Sequence, residues 1–166
     1  ADEGDGAGSG RGIAGALGAG GIHVSMSTVA PTTSGKLSAI HAQHGSFYVS
    51  APVFARPEAA AAKKLWICQS GSTSAKERIR PALEAMGQGI YDFGEDPGAA
   101  SIVKLCGNFM ILSVLETLGE ALVLAEKSGL DRRALASFFG ETIFACPIYQ
   151  IYGRSIANRT YEPAGF

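Results

Sequence analysis

The 166-residue chain has little net charge, a formal −1 at neutral pH, and its Lys and Arg residues are scattered rather than striped. The electrostatic footprint of a nucleic-acid-binding surface is missing, and a small neutral or anionic ligand fits better. Cysteine is scarce as well. Cys68, Cys106 and Cys146 are odd in number, far apart and without C-x-x-C spacing, which reads as reduced thiols in a cytoplasmic protein rather than a zinc or redox site. His23, His41 and His44 show no metal spacing with a carboxylate or thiol, and two of them end an expected helix where positive charge is favoured anyway, so they are assigned no catalysis. No apolar stretch follows a basic start, and no run approaches the roughly 20 apolar residues of a membrane span, so a soluble chain that is not exported and meets no membrane is expected. A G-x-G-x-x-G turn placed between strand and helix is also missing. Gly4, Gly6, Gly8 and Gly10 alternate, but no apolar strand precedes them and the sixth position is wrong, so they are not read as a phosphate cradle.

What is present suits a folded domain of ordinary size, with 46% hydrophobic residues and enough length to bury a core without disulfide or metal staples. Ala1 to Gly10 alternate Gly with Asp, Ser and Ala, and residues 1–20 read as a flexible loop or a remnant connection. Ile22 to Met26 is β-compatible, and Pro31 sits where a helix running to about His44 would start, with Gly45 as its stop. Phe47 to Val49 is strand-like, Pro57 to Lys64 suggests a short alanine-rich helix, and Leu65 to Cys68 a buried strand with Trp66 in the core. Ser74 to Met86 reads as a helix and Ile90 to Phe93 as a last strand, completing an alternating β/α pattern over residues 21–96. From Pro97 the character changes. Ile102, Leu105, Phe109, Leu112, Leu115, Leu118, Leu122 and Leu124 recur near helical spacing to about Ser128, predicting one helix of about 32 residues and about 48 Å. Gly129 can end it, Asp131 can cap the next helix, and another follows Pro147 toward Asn158. The expected fold is α/β followed by all-α: a partial Rossmann-like sheet over 21–96, joined by a long interdomain helix to a helical domain over 97–166. So long an apolar helix calls for cover, either from a homodimer or larger assembly or from a C-terminal continuation.

Lys104 and Asn108 stand four residues apart on that helix, which puts both side chains on one face. A Lys held near a pocket on an apolar segment loses hydration, its pKa falls, and it becomes suited to proton transfer, with Asn108 orienting a substrate oxygen. The competing reading is a Lys that snorkels to solvent and an Asn bonded to a neighbouring loop. Ser27 and Thr28 lie at a strand-to-helix turn, where hydroxyls face a ligand or cap the first turn.

Spacing alone leaves these alternatives open, but the segments in which the residues sit carry a resemblance. Gly98-x-Ala100-x-x-x-Lys104-x-x-x-Asn108 resembles the G-x-G-x-x-x-K-x-x-N-N segment of the β-hydroxyacid dehydrogenase superfamily, which includes 3-hydroxyisobutyrate and 6-phosphogluconate dehydrogenases, with Ala100 for the second Gly and Gly107 for the first Asn. The stretch from His23 through Ser27 and Thr28 to Pro31 resembles that family's D-x-S-T-x-x-P turn, and Tyr48 to Pro52 its D-A-P-V-S-G-G substrate loop. Glu116 to Glu120 and Glu126 to Asp131 resemble its helical domain. The resemblance implies an NAD(P)-dependent oxidoreductase, taking NADP or NAD, that moves a hydride between nicotinamide and a small carbonyl or hydroxyacid, with Lys104 as general acid/base. It implies substrate contacts from Ser27, Thr28, Pro52, Phe54, Ala55, Arg56 and Asn108, and cofactor contacts from Ser27 and Gly98. One departure bears on the substrate: where the family loop offers S-G-G, this chain has Phe54, Ala55 and Arg56. The hydroxyl is gone, which widens the field to bulkier or less acidic carbonyls and to imines, as in the related imine reductases; Arg56 either pairs with an anion or lies on the surface. A further alternative is a non-catalytic dehydrogenase-like dimerisation or interaction module. Set against the family, both ends look cut, which implies an internal fragment rather than a reduced relative.

Overall fold

The computed structural model describes residues 12–162. In chain order the elements are α1 (Ile13–Leu17), β1 (Ile22–Ser25), α2 (Pro31–Gln43), β2 (Phe47–Ser50), β3 (Val53–Phe54), α3 (Pro57–Ala61), β4 (Leu65–Gly71), α4 (Thr73–Glu84), β5 (Gly87–Asp92), α5 (Ala99–Lys127), α6 (Arg132–Glu141) and α7 (Pro147–Asn158). They fall into two compact units, residues 1–105 and 106–166, and the division lies inside α5. The expected change of character at Pro97 marks the approach to that helix. The reading of Ala1 to Gly10, including its alternating glycines, lies outside the described residues.

The first unit is built on a five-stranded mixed sheet. β1 and β2 run parallel, from Ile22 opposite Phe47 to Ser25 opposite Ser50. β4 then runs antiparallel to β2 at its far end, Ser50 opposite Ser70, and antiparallel to β3 at its near end, Phe54 opposite Trp66. β2 and β3 keep one register along the same edge of β4. Their ladder is interrupted at Pro52, which has no N–H to give, although its carbonyl still accepts from Cys68 N at 3.0 Å. β5 pairs parallel on the other edge. Because side chains alternate across a strand, Val53, Leu65, Ile67 and Ile90 point to one face, where α4 covers them with Ala75, Ile79 and Leu83. Each such side chain, once buried, contributes about 1.5–3 kcal/mol. The opposite face carries Phe54, Trp66, Cys68 and Tyr91.

That alternation corrects one expectation. Trp66 is not core: it is 43% exposed and packs beside Tyr91, ring centroids 6.0 Å apart, because the strand buries its odd-numbered positions under α4. Residues 12–20 are not all loop, since α1 forms there. β3 was not anticipated, being two residues long, and α3 is shorter than Pro57 to Lys64, with Lys63 already at φ 59°. His41 is fully buried and is not an exposed cation at a helix end. Its Nε2 lies 2.9 Å from His23 Nδ1 and its Nδ1 2.8 Å from Ser46 Oγ.

In the second unit α6 and α7 pack on the later turns of α5 around Leu122, Ala136 and Ala157. Gly129 (φ 79°) supplies the left-handed turn that ends α5. Asp131 caps α6 by accepting from Arg133 N at 2.9 Å, and Glu126 receives Arg132 and Arg159 at 3.3 and 3.2 Å. α5 itself corrects the expectation about apolar runs. By length and composition it could cross a membrane, with a mean hydropathy of 1.5 in its most apolar window, of which 17% is buried. Isolated polar residues such as Ser113 and Glu116 break any strict apolar run yet leave that mean high.

Candidate active site around Lys104

The start of α5 is fixed before Lys104 is reached. Asp96 Oδ1 accepts from Gly98 N at 2.8 Å and the Asp96 carbonyl from Ala99 N at 3.0 Å, forming the turn that begins the helix. Gly98 sits close against Pro31: a Cβ there would lie 3.2 Å from both Cβ and O of Pro31, so the neighbour would have to give slightly. The helix start therefore abuts the end of the Ser27-to-Pro31 turn. Ser70 of β4 accepts from Ala100 N at 3.0 Å and donates to the Pro97 carbonyl at 3.4 Å. Ser101, fully buried, shares hydroxyl hydrogen bonds with Ser34 of α2 at 2.9 Å and Ser50 of β2 at 3.2 Å, and Ser34 reaches Tyr48 Oη at 3.4 Å. Hydroxyls from two strands and a helix thus hold the first turn of α5.

Lys104 follows one turn after Ser101. Its Nζ lies 4.0 Å from the centroid of the Phe54 ring. Among the described residues it has no ion pair and no hydrogen-bond partner, although the residue is half-buried. Burial draws its ammonium below the ordinary lysine range, and the Cys68 sulfur acts in the opposite sense. The Cys68 thiol is pushed up by burial, with the Lys104 charge offsetting part of the effect. This is a cation with one ring against it and donors to spare.

The other expected site residues divide. Phe54 meets Lys104 directly. Pro52 is fully buried and serves the β2–β3 junction. Ser27 and Thr28 are exposed, and neither caps α2, whose cap is Ala30 with no side-chain bond; the capping alternative fails. Ala55 is exposed, and Arg56 stands at the start of α3 with its Nε 3.7 Å from Glu58. Asn108 belongs to the second unit and is half-buried; its place beside Lys104 rests on helical spacing. The serine cluster and Cys68 were missed. The alternation of Cys68 with Ser70 on β4, and the position of Ser101 three residues before Lys104, were the available signals.

The site has relatives. Residues 5–94 match the family described as the NAD binding domain of 6-phosphogluconate dehydrogenase. The chain is 41% identical over 146 residues to the uncharacterized oxidoreductase YfjR of Bacillus subtilis, covering 88% of this chain and 51% of that one. It superposes on Psf3 in complex with NADP+ and 2-OPP with a TM-score of 0.80 at 30% identity, covering 89% of this chain and 52% of that one. For the 3-hydroxyisobutyrate dehydrogenase of Mycobacterium tuberculosis, solved with L-serine, the TM-score is 0.79 at 27% identity, covering 92% and 54%. The chain spans about half the length of the curated relatives it matches. The sheet that presents Phe54 and the helix that carries Lys104, taken with these matches, show that the chain belongs to the β-hydroxyacid dehydrogenase superfamily of NAD(P)-dependent oxidoreductases.

Proposed function

We propose that the whole protein transfers a hydride between NADP or NAD and a small carbonyl or hydroxyacid substrate, with Lys104 as the general acid/base. The observation that carries the reading is the condition of Lys104: partly desolvated, without ion pair or hydrogen bond among the described residues, and held by a helix start that four serines fix in place. In open α/β sheets ligands bind beyond the carboxyl ends of parallel strands. The turn after β1 offers the exposed hydroxyls of Ser27 and Thr28 there, and Gly98 lies against its end. These donors fit the amide and ribose groups of a nicotinamide nucleotide. When bound, the cofactor supplies or accepts the hydride.

In the reducing direction Lys104 Nζ gives a proton to the carbonyl oxygen as the carbon becomes an alcohol carbon, and neutral Lys104 then regains a proton from solvent. In the oxidising direction neutral Lys104 takes the hydroxyl proton. Asn108, one turn on, orients the same oxygen. A homodimer in the cytoplasm completes the proposal, supported by the exposed Phe109, Met110, Leu112 and Leu124 of α5. The test is titration of the full-length protein with NADPH and NADH, followed by nicotinamide fluorescence, together with oxidation of either cofactor on adding small aldehydes and ketones. Binding and substrate-dependent oxidation are expected. A protein that binds neither cofactor is a dehydrogenase-like interaction module instead.

A further inference from the structure

The sheet face that meets Lys104 is aromatic. Phe54 and Trp66 are cross-strand partners, and Tyr91 is the partner of Cys68, so the three aromatic residues and the thiol share one face of β3, β4 and β5, where the Trp66 and Tyr91 rings meet at 6.0 Å. With strands about 4.8 Å apart, the patch is about 10 Å wide, enough for one aryl group. Lys104 Nζ stands over its Phe54 corner at 4.0 Å. The patch is open: Trp66 is 43% and Tyr91 53% exposed, whereas the other face of the same strands is closed by α4. It is also built. The Trp66 indole lies over Gly89, where an added Cβ would come within 2.5 Å of the ring, so any larger residue would evict the indole.

We infer that Phe54, Trp66 and Tyr91 form the specificity platform of this site, selecting carbonyl substrates with a planar aryl or conjugated group beside the reacting carbon. The inference rests on the proposed proton transfer by Lys104 and names the substrate class that goes with it. A flat group lies on the rings while the carbonyl oxygen reaches Nζ at the Phe54 corner, and ring–ring contact and burial supply the affinity.

The experiment compares phenylacetaldehyde with 3-oxopropanoate, an aldehyde bearing a carboxylate, in the full-length protein and in its Trp66→Leu and Phe54→Leu variants. The wild type is expected to favour phenylacetaldehyde at least tenfold in kcat/KM. Trp66→Leu is expected to lower kcat/KM for phenylacetaldehyde about tenfold, through KM, and to leave 3-oxopropanoate within twofold. Trp66 is half-exposed, so this variant should fold even where Phe54→Leu does not, and Phe54→Tyr should keep the preference. A wild type that prefers 3-oxopropanoate, or variants that lower both substrates equally, overturns the platform and leaves the oxidoreductase reading intact. Inactivity toward both aldehydes overturns the platform too, and absent cofactor binding would mark that failure as belonging to the underlying reading.

Discussion

Lys104 is costly to the fold. Its pKa in the folded chain is lowered by burial, so below that value the folded state holds a charge that the unfolded chain solvates better. That cost is present at neutral pH and disappears as pH rises through the folded and then the unfolded lysine pKa. Attraction to the Phe54 ring offsets part of it, on the order of 0.5–1 kcal/mol at a partly exposed site. Lys104→Met should therefore raise Tm in neutral buffer, by about 2–4 °C for a domain of this size, while abolishing turnover; a lowered Tm would show that the ammonium is well solvated or paired. In the proposed reaction, with Lys104 as general acid/base, the same shift sets the alkaline limb. Reduction needs protonated Lys104, so kcat/KM for the carbonyl should fall with rising pH at an apparent pKa below about 10.4, the ordinary lysine value, and oxidation should rise over the same interval. Profiles flat from pH 7 to 10 would rule out Lys104 as the titrating group.

Between the elements, the tie of β5 to α4 is the clearest case of charge doing structural work. Lys76 of α4 is buried, with Nζ 2.7 Å from Asp92 Oδ1 and 3.0 Å from the Gly94 carbonyl. Burial alone would raise the Asp92 pKa, but hydrogen bonds from Lys76 and Gly94 N outweigh it and hold the carboxyl below its usual range. The stability it contributes is therefore present above the unfolded carboxyl value and is lost as pH falls through the lower folded value. Asp92→Asn should destabilise by about 2 kcal/mol, less than the ~3–5 kcal/mol of a fully buried pair because Asp92 is half-exposed, and the loss should shrink in urea melts near pH 3. An unchanged midpoint at pH 7 would show that Lys76 finds another partner. Most elements here were legible in the sequence, since Pro31, Gly45, Gly129, Asp131 and Pro147 punctuate the chain by rules of backbone geometry. The face of β4 was not: Leu65 to Cys68 reads as continuously apolar, and only the pairing of Phe54 with Trp66 and the seat at Gly89 decide that the indole lies outside. The serine ties were equally hidden, because Ser34, Ser50, Ser70 and Ser101 are far apart in sequence and common in type. Lys104 and Phe54 were legible as members of two motifs, but not their contact, which depends on the register of β3 and the placement of α5.

At the scale of the whole molecule, a chain that spans about half of its relatives' length nevertheless holds the proposed proton-transfer residue, the turn proposed to face the nicotinamide and the aromatic face beside them. Tying the start of α5 to the sheet through Ser70 and Ser101 sets where Lys104 stands relative to that turn and that face, so rigidity there would serve the proposed chemistry as well as stability. Function then reduces to whether one ammonium moves one proton. The most direct measurement is turnover and cofactor affinity of Lys104→Ala in the full-length protein. A general acid/base contributes about 10²–10⁴-fold, so kcat should fall by at least two orders of magnitude while the NADPH or NADH dissociation constant stays within about twofold. Unchanged turnover would contradict the account.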